Sequence, residues 1–130
     1  MKKTILITGC SSGIGYNSAK QLKSDGWRVF ATCRNESDCV RLRKENLESF
    51  VLDYSKEDTI SAAIKKIGTL TGGKLDALFN NGAYALPGAV EDLTRDALRA
   101  IFETNFFGHV DLMNRALPLL RNSLDGRVIN

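Results

Sequence analysis

The segment Thr4-Ile5-Leu6-Ile7-Thr8-Gly9-Cys10-Ser11-Ser12-Gly13-Ile14-Gly15 decides the fold class of this chain. Its first five residues form a short, β-branched apolar run, which is typical of a strand buried on both faces. A glycine-rich turn follows, and then a helical pattern that ends at Asp25-Gly26. In a strand–turn–helix unit, glycines let a phosphate approach the free N–H groups at the helix start. The segment therefore predicts a phosphate-binding turn, with a plain tight connection as the alternative.

The remaining sequence continues to alternate strands with helices. Strands are predicted over 28–33, 50–52, 75–79 and 127–130, and helices over 36–44, 56–67, from 94, and over roughly 103–121. Alternation of this kind indicates parallel pairing, right-handed crossovers and helices on both faces of one sheet. The sequence therefore predicts the α/β class.

Composition excludes several classes of protein. The 130 residues are 43% hydrophobic and 25% charged, which is typical of a globular domain and not of a disordered chain. The net charge of +3 is too small to indicate a nucleic-acid or membrane-surface partner, and no apolar run is long enough to span a bilayer. Three cysteines without metal-type spacing predict reduced thiols, no metal site and a cytoplasmic location.

Four motifs occur in the order expected for a known family. They are Thr8-Gly9-x-x-x-Gly13-Ile14-Gly15, Asp53 after the third strand, Asn80-Asn81-Gly82-Ala83, and Asn105 with Gly108. On these motifs the whole chain resembles the short-chain dehydrogenases/reductases. The resemblance implies a Rossmann-like, doubly wound parallel sheet with strand order 3-2-1-4-5. It would form one domain, 1–130, incomplete at its carboxyl end, that binds NAD or NADP across the carboxyl ends of its strands.

The end of the second strand predicts which dinucleotide is preferred. An acid there would bind the adenosine ribose hydroxyls and repel a 2′-phosphate, whereas an arginine would attract the phosphate. The chain has Arg34 at this point and no acid before Glu36, and Ser12 could add a hydroxyl. We therefore predict NADP over NAD. The alternative is that Arg34 is a solvated loop residue.

The resemblance also assigns roles to individual positions. Asn105 corresponds to the catalytic asparagine, and Asp53 with Tyr54 to the pair flanking the adenine, although Asp53 could merely start a turn. Ser11 could contact a phosphate, cap the first helix, or do both. Ala83 stands where the family has glycine, and would be strained at a positive φ. The predicted cofactor-binding set is Gly9, Ser11, Ser12, Gly13, Ile14, Gly15, Arg34, Asp53, Tyr54, Asn81 and Gly82.

Several other residues have simpler interpretations. His109 lacks a catalytic partner at useful spacing and is interpreted as a helix-surface residue. Cys10, Cys33 and Cys39 are interpreted as inert thiols, because no base is near them in sequence. Phe102, Phe106 and Phe107 are expected in the monomer core, while the resemblance would also allow two copies to associate through the 103–121 helix. Tyr16 and Lys20 match Tyr-x-x-x-Lys spacing, but at the wrong end of the fold.

The family interconverts a carbonyl and an alcohol by hydride transfer, using a serine after the fifth strand and a Tyr-x-x-x-Lys pair on the following helix. These residues do not follow the fifth predicted strand within the 130 residues. We therefore expect the amino-terminal part of a longer oxidoreductase, inactive alone, and leave its small-molecule substrate unspecified. The alternative is a stand-alone dinucleotide-binding or interaction module. A methyltransferase is disfavoured, because Asn80, Asn81 and Asn105 would have no role in it.

Overall fold

A five-stranded parallel sheet organises the computed structural model, which describes residues 2–130. Its strands are β1 (Thr4–Ile7), β2 (Arg28–Cys33), β3 (Glu48–Val51), β4 (Ala77–Phe79) and β5 (Arg127–Ile129). They are ordered β3-β2-β1-β4-β5, and each neighbouring pair is parallel. The predicted Rossmann-like α/β fold and its strand order are confirmed.

Five α-helices connect or follow the strands. They are α1 (Gly13–Ser24), α2 (Glu36–Lys44), α3 (Glu57–Thr71), α4 (Arg95–Phe102) and α5 (His109–Arg121). A π-helical segment, Glu103–Gly108, joins α4 to α5 without a break. The sequence pattern predicted a separate helix starting near 103. The backbone is instead helical on both sides of the predicted start: Phe102 before the π-helical segment and His109 after it have right-handed helical angles. No helix among residues 2–130 is long and apolar enough to cross a membrane.

Both faces of the sheet are covered, so alternate residues of a strand enter different cores. Leu6 packs into the core shared with α3 and α5. Ile5 and Ile7 point to the opposite core, which is shared with α1 and α2. This burial on both sides explains why β1 is apolar at successive positions.

The second strand has the predicted bounds, and the ends of the other four strands differ from the predicted ones by one or two residues. The prediction began the fourth strand at Leu75, but the Leu75 amide donates to the Leu119 carbonyl at 3.0 Å, so β4 begins at Ala77. The third strand begins two residues earlier than predicted, at Glu48, which pairs with Phe30 of β2.

The direction in which successive strands are added to the sheet reverses after β3. The first three strands run outward from β1 to β3, and the next two lie on the other side of β1. The chain leaving β1 therefore leads to α1 on one face of the sheet, and the chain leaving β4 leads to α5 on the other face. In doubly wound sheets this switch point forms the ligand crevice.

Candidate cofactor-binding site

A cavity of about 300 Å³ lies at the switch point. Loops from the ends of four neighbouring strands and the start of the π-helical segment contribute to its wall. The lining residues are Thr8, Gly9, Ser11, Ser12, Arg34, Asn35, Asp38, Leu52, Tyr54, Asn81, Gly82, Ala83, Tyr84 and Thr104. Seven predicted residues are brought together in this wall: Gly9, Ser11, Ser12, Arg34, Tyr54, Asn81 and Gly82.

The glycine-rich loop needs glycine for two different reasons. At Gly9, φ is +66° and an added Cβ would lie 2.7 Å from the Gly82 Cα, so neither the backbone angle nor the space suits a side chain. At Gly15, a Cβ would lie 2.5 Å from the Gly9 carbonyl oxygen and 2.6 Å from the Asn81 Nδ2. These two glycines let the β1–α1 loop pack directly against the loop after β4.

Polar side chains fasten the same two loops. The Asn81 Nδ2 donates to the carbonyl oxygens of Thr8 at 3.1 Å and Gly9 at 3.2 Å. In the other direction, the Gly82 amide donates to the Thr8 hydroxyl at 2.9 Å. Asn81 therefore fixes the shape of the glycine-rich loop in addition to lining the cavity.

Tyr54 lines the cavity but directs its hydroxyl into the core. That hydroxyl lies 2.7 Å from the Thr8 hydroxyl and donates to the Asn80 Oδ1 at 2.8 Å. Burial raises the pKa of Tyr54 well above its usual range, although the hydrogen bond with Thr8 acts in the opposite direction. The Tyr54 hydroxyl therefore does not face the cavity. Only the part of the side chain that lines the cavity could contact an adenine ring, as predicted.

The interpretation of His109 as a helix-surface residue is wrong. Its side chain is half-buried and stacks on the Tyr54 ring, with 4.2 Å between ring centroids. Its Nε2 lies 2.7 Å from the Gly82 carbonyl oxygen, which can only accept a hydrogen bond. The preceding Gly108 permits this contact, because a Cβ there would lie 2.3 Å from the Tyr54 Cβ. His109 therefore joins the helical layer to the loop after β4.

Five of the predicted site residues are not part of the cavity wall. Ile14 is 70% exposed in the first turn of α1, directly after Gly13. The Asp53 carboxylate accepts from the amide and the hydroxyl of Ser55, at 2.9 and 2.7 Å, so Asp53 does form the turn considered as its alternative role. Residues of the predicted set outside the wall are Gly13, Ile14, Gly15, Asp53 and Asn105.

Asn105 secures the loop after β4 from the π-helical segment. Its Nδ2 donates to the Tyr84 carbonyl at 2.8 Å, and its Oδ1 accepts from the Tyr84 amide at 3.2 Å. π-helical turns are rare in proteins and are frequently located at functional sites. Ala83 does not have a positive φ, so the backbone strain considered for it is absent. Asn46 is the only non-glycine residue with a positive φ among residues 2–130.

The charged residues in the wall include one that sequence inspection missed. Arg34 is exposed and lines the cavity just after β2, whereas Glu36 is outside the wall and pairs with Arg43. Asp38, in the first turn of α2, also lines the cavity, and its carboxylate lies 3.6 Å from the Arg41 guanidinium. No sequence signal pointed to Asp38, because α2 begins at Glu36 and Arg34 precedes it, so helical spacing does not relate the two residues.

The aromatic residues around the π-helical segment are not in the monomer core, so that expectation is wrong. Phe102, Phe106 and Phe107 are each more than half exposed. The buried side chains of α5 are instead those of Leu112, Ala116 and Leu120. The three aromatic side chains instead form a surface cluster, with ring centroids 6.3 and 5.4 Å apart along the series.

The cysteines and the Tyr16–Lys20 pair show no nucleophilic or catalytic arrangement. All three cysteines are buried and free. Burial raises the pKa of the Cys10 and Cys33 thiols to about 12, which disfavours the reactive thiolate. The Tyr16 hydroxyl donates to the Glu45 carboxylate at 2.6 Å, and Lys20 lies 3.3 Å from the same hydroxyl. Among residues 2–130, no three His, Cys, Asp or Glu side chains are grouped to hold a metal ion.

Several features of the cavity wall could hold a phosphate group. Gly13 has a φ of +61° with no atom within 4 Å of an added Cβ, so the start of α1 faces open space. Ser12, at the N-cap of α1, makes no side-chain capping bond, which leaves backbone donors of the first turn for an anion. Arg34 adds a positive charge to the wall directly after β2. This fold and these residues together are typical of α/β proteins that bind a phosphate-containing ligand at the switch point of the sheet.

The chain belongs to the short-chain dehydrogenase family, whose family model matches residues 3–130. It is 34% identical over 129 residues to "Uncharacterized oxidoreductase YbbO" of Escherichia coli (strain K12), covering 99% of this chain and 48% of that protein. It is also 36% identical over 133 residues to "Retinol dehydrogenase 16" of Homo sapiens, covering 98% of this chain and 42% of the relative. The chain thus spans about half the length of these curated relatives.

Solved structures show the same fold. A short-chain dehydrogenase from Streptomyces avermitilis superposes with a TM-score of 0.89 at 30% identity, over 98% of this chain and 47% of that one. YwfH, described as an NADPH dependent reductase involved in bacilysin biosynthesis, superposes with a TM-score of 0.88 at 25% identity, over 100% of this chain and 58% of that one. The family assignment made from the four motifs is confirmed.

Proposed function

We propose that this chain is the cofactor-binding part of a cytoplasmic, NADP(H)-dependent oxidoreductase that interconverts a carbonyl and an alcohol on a small molecule. The observation that carries the cofactor preference is the position of Arg34, in the cavity wall directly after β2. The nearest acid in sequence, Glu36, pairs with Arg43 instead of facing the cavity. A guanidinium at this point can form charge-assisted hydrogen bonds with a 2′-phosphate.

In this proposal, different parts of the cavity wall contact different parts of the dinucleotide. The glycine-rich loop and the open first turn of α1 bind the pyrophosphate through backbone N–H groups. Arg34 and Ser12 bind the 2′-phosphate, and the cavity side of Tyr54 lies toward the adenosine. The bound dinucleotide supplies or accepts a hydride. Asn105 holds the loop that carries Asn81 and Gly82 through its two bonds to Tyr84.

Titration of NADPH and NADH into the 130-residue chain, followed by calorimetry, tests the cofactor preference. We expect tighter binding of NADPH, and a loss of about tenfold in its affinity in Arg34→Glu, because a repulsive charge replaces an attractive one. The matched control is Arg95→Glu, which changes an exposed cation outside the cavity wall. Tighter NADH binding, or equal NADPH affinity in Arg34→Glu, would overturn the proposal.

The proposed function also predicts that the 130 residues bind NADPH without reducing a carbonyl substrate. Within residues 2–130 the only Tyr-x-x-x-Lys pair, Tyr16 and Lys20, lies outside the cavity wall with the Tyr16 hydroxyl bonded to Glu45, so these residues by themselves should bind NADPH and leave carbonyl compounds unreduced. Reduction of a panel of ketones and aldehydes by this chain would contradict the proposal. The coding sequence downstream of codon 130 separates the two candidate functions. A frame that continues through Ser and Tyr-x-x-x-Lys supports the oxidoreductase, whereas a stop codon supports a stand-alone dinucleotide-binding or interaction module.

We further propose that two copies associate through the exposed aromatic cluster of Phe102, Phe106 and Phe107. Contiguous exposed apolar side chains, such as these three neighbouring rings, are a feature of protein–protein interfaces. The same run carries Arg99 and Glu103, so an antiparallel pairing of two copies would bring opposite charges together. Sedimentation velocity should show a concentration-dependent dimer that Phe106→Ser weakens. A monomer at all micromolar concentrations would refute this association.

A further inference from the structure

Two side chains of opposite charge line the end of the cavity where the 2′-phosphate is proposed to bind. Arg34 follows β2, and Asp38 lies in the first turn of α2. A carboxylate in this wall opposes the binding of a phosphate that carries nearly two negative charges. Taken as a pair, Arg34 and Asp38 leave the wall without net charge. A preference for the 2′-phosphate therefore needs another positive group.

Arg41 is placed to provide that charge. Its guanidinium lies 3.6 Å from the Asp38 carboxylate and 3.5 Å from that of Glu45. Glu45 also lies 4.0 Å from Lys20, so Arg41 is not its only cationic neighbour. The guanidinium additionally stands over the Tyr16 ring, 5.7 Å from its centroid. These contacts hold Arg41 on the side of α2 that carries Asp38.

The same guanidinium reaches the glycine-rich loop. Its Nη2 donates to the carbonyl oxygen of Ser11, which lines the cavity. Arg41 thus connects α2 to the backbone that is proposed to bind the pyrophosphate. One residue outside the wall thereby contacts two residues within it, Asp38 and Ser11.

We propose that Arg41 is a specificity-determining and positioning residue for NADP(H), acting by neutralising Asp38 and by fixing the loop at Ser11. This inference rests on the proposed function. With Asp38 paired to Arg41, the field at this end of the cavity is set by Arg34 and favours the 2′-phosphate. The Asp38 effect depends on the phosphate and so distinguishes NADPH from NADH. The Ser11 effect acts on the shared pyrophosphate and so applies to both.

Calorimetric titration of NADPH and NADH into four variants of the 130-residue chain separates these two effects. In Arg41→Met we expect NADPH affinity to fall about tenfold and NADH affinity about twofold, because the uncovered Asp38 repels the 2′-phosphate. The double variant Arg41→Met/Asp38→Asn has the wild-type net charge in this region. It should recover the NADPH-to-NADH ratio to within about twofold of wild type. If Arg41→Met lost affinity only because it misfolds, adding Asp38→Asn would not restore the NADPH-to-NADH affinity ratio.

Two further variants complete the test. Arg41→Lys keeps the charge but loses the planar guanidinium, so the ratio should remain while both affinities fall about twofold. Lys44→Met, the matched control, removes one positive charge from the same helix outside the cavity wall, and should change either affinity less than about twofold.

The outcomes distinguish this inference from the proposed function. If the wild-type chain binds neither dinucleotide or prefers NADH, the proposed function itself is wrong and the inference falls with it. If the wild type prefers NADPH but Arg41→Met keeps the wild-type ratio, only the role of Arg41 is refuted. Failure of Asp38→Asn to restore the ratio in Arg41→Met would likewise refute the neutralisation of Asp38.

Discussion

The hydroxyl of Tyr54 lies 2.7 Å from that of Thr8, although the two residues are 46 positions apart in sequence. Thr8 begins the glycine-rich loop, and Tyr54 follows β3, so this contact joins the ends of β1 and β3 beneath the cavity. Asn80 accepts a hydrogen bond from the same Tyr54 hydroxyl at 2.8 Å and extends the connection to the loop after β4. Three loops of the candidate site are therefore fixed by one buried polar network.

Tyr54→Phe tests this network. Removing the hydroxyl leaves the buried Asn80 Oδ1 without its donor, and we expect a loss of about 2 kcal/mol in the free energy of unfolding. Urea denaturation measures this loss. Tyr84→Phe is the matched control, since Tyr84 is exposed, and it should change the free energy of unfolding by less than about 0.5 kcal/mol. Equal effects of the two substitutions would show that the Tyr54 hydroxyl network does not stabilise the fold.

Gly108→Ala tests the close approach of the π-helical segment to Tyr54. An added Cβ would lie 2.3 Å from the Tyr54 Cβ and 2.6 Å from its carbonyl oxygen, both too short for any real contact. We expect a loss of about 3 kcal/mol or more in the free energy of unfolding, measured by urea denaturation. Gly68→Ala, within α3, provides the contrast because its nearest neighbour is 3.6 Å away. It should stabilise the chain by about 0.5–1 kcal/mol.

Asp76 predicts how stability depends on pH. Burial alone would raise its pKa, but hydrogen bonds from Ser123, Thr4 and Lys74 outweigh this effect and lower the pKa to about 2. A carboxyl group with a lowered folded-state pKa contributes stability above its unfolded pKa of about 4 and loses that contribution as the pH falls toward 2.

The difference in unfolding free energy between wild type and Asp76→Asn isolates this contribution. We expect the wild-type advantage to decrease by about 2 kcal/mol between pH 5 and pH 2, because the carboxylate becomes protonated in the folded chain. Urea denaturation at several pH values provides the measurement. Asp96, whose side chain is 96% exposed, serves as the control position. A constant difference across this pH range would contradict the assigned role of Asp76.

Asn105→Ala tests whether the π-helical segment orders the loop after β4. Loss of both hydrogen bonds to Tyr84 should accelerate amide hydrogen exchange at Tyr84 by about fivefold or more, since one net hydrogen bond contributes about 1 kcal/mol. Asn114→Ala, at an exposed position of α5, should leave that exchange unchanged. Unchanged exchange at Tyr84 in both variants would mean that Asn105 does not hold the loop.

The sequence by itself determined the alternation of elements, the parallel sheet and the glycine-rich turn. These features depend on local patterns: β-branched apolar runs, helical periodicity, and glycines where the backbone needs a positive φ or a close approach. The sequence also identified seven of the fourteen residues that form the cavity wall. Gly9, Arg34 and Asn81 were all predicted at positions that the structure brings together.

Only the tertiary structure decided how side chains distant in sequence meet. The stacking of His109 on Tyr54, the Asp38–Arg41 pair beside Ser11 and the exposure of Phe106 depend on how helices pack on the sheet. Periodicity shows that a helix has an apolar face, but not which residues the adjacent loops leave uncovered. Hydrogen bonding and neutralisation of charge depend on separations of a few ångströms. Those separations arise only when non-local elements come together.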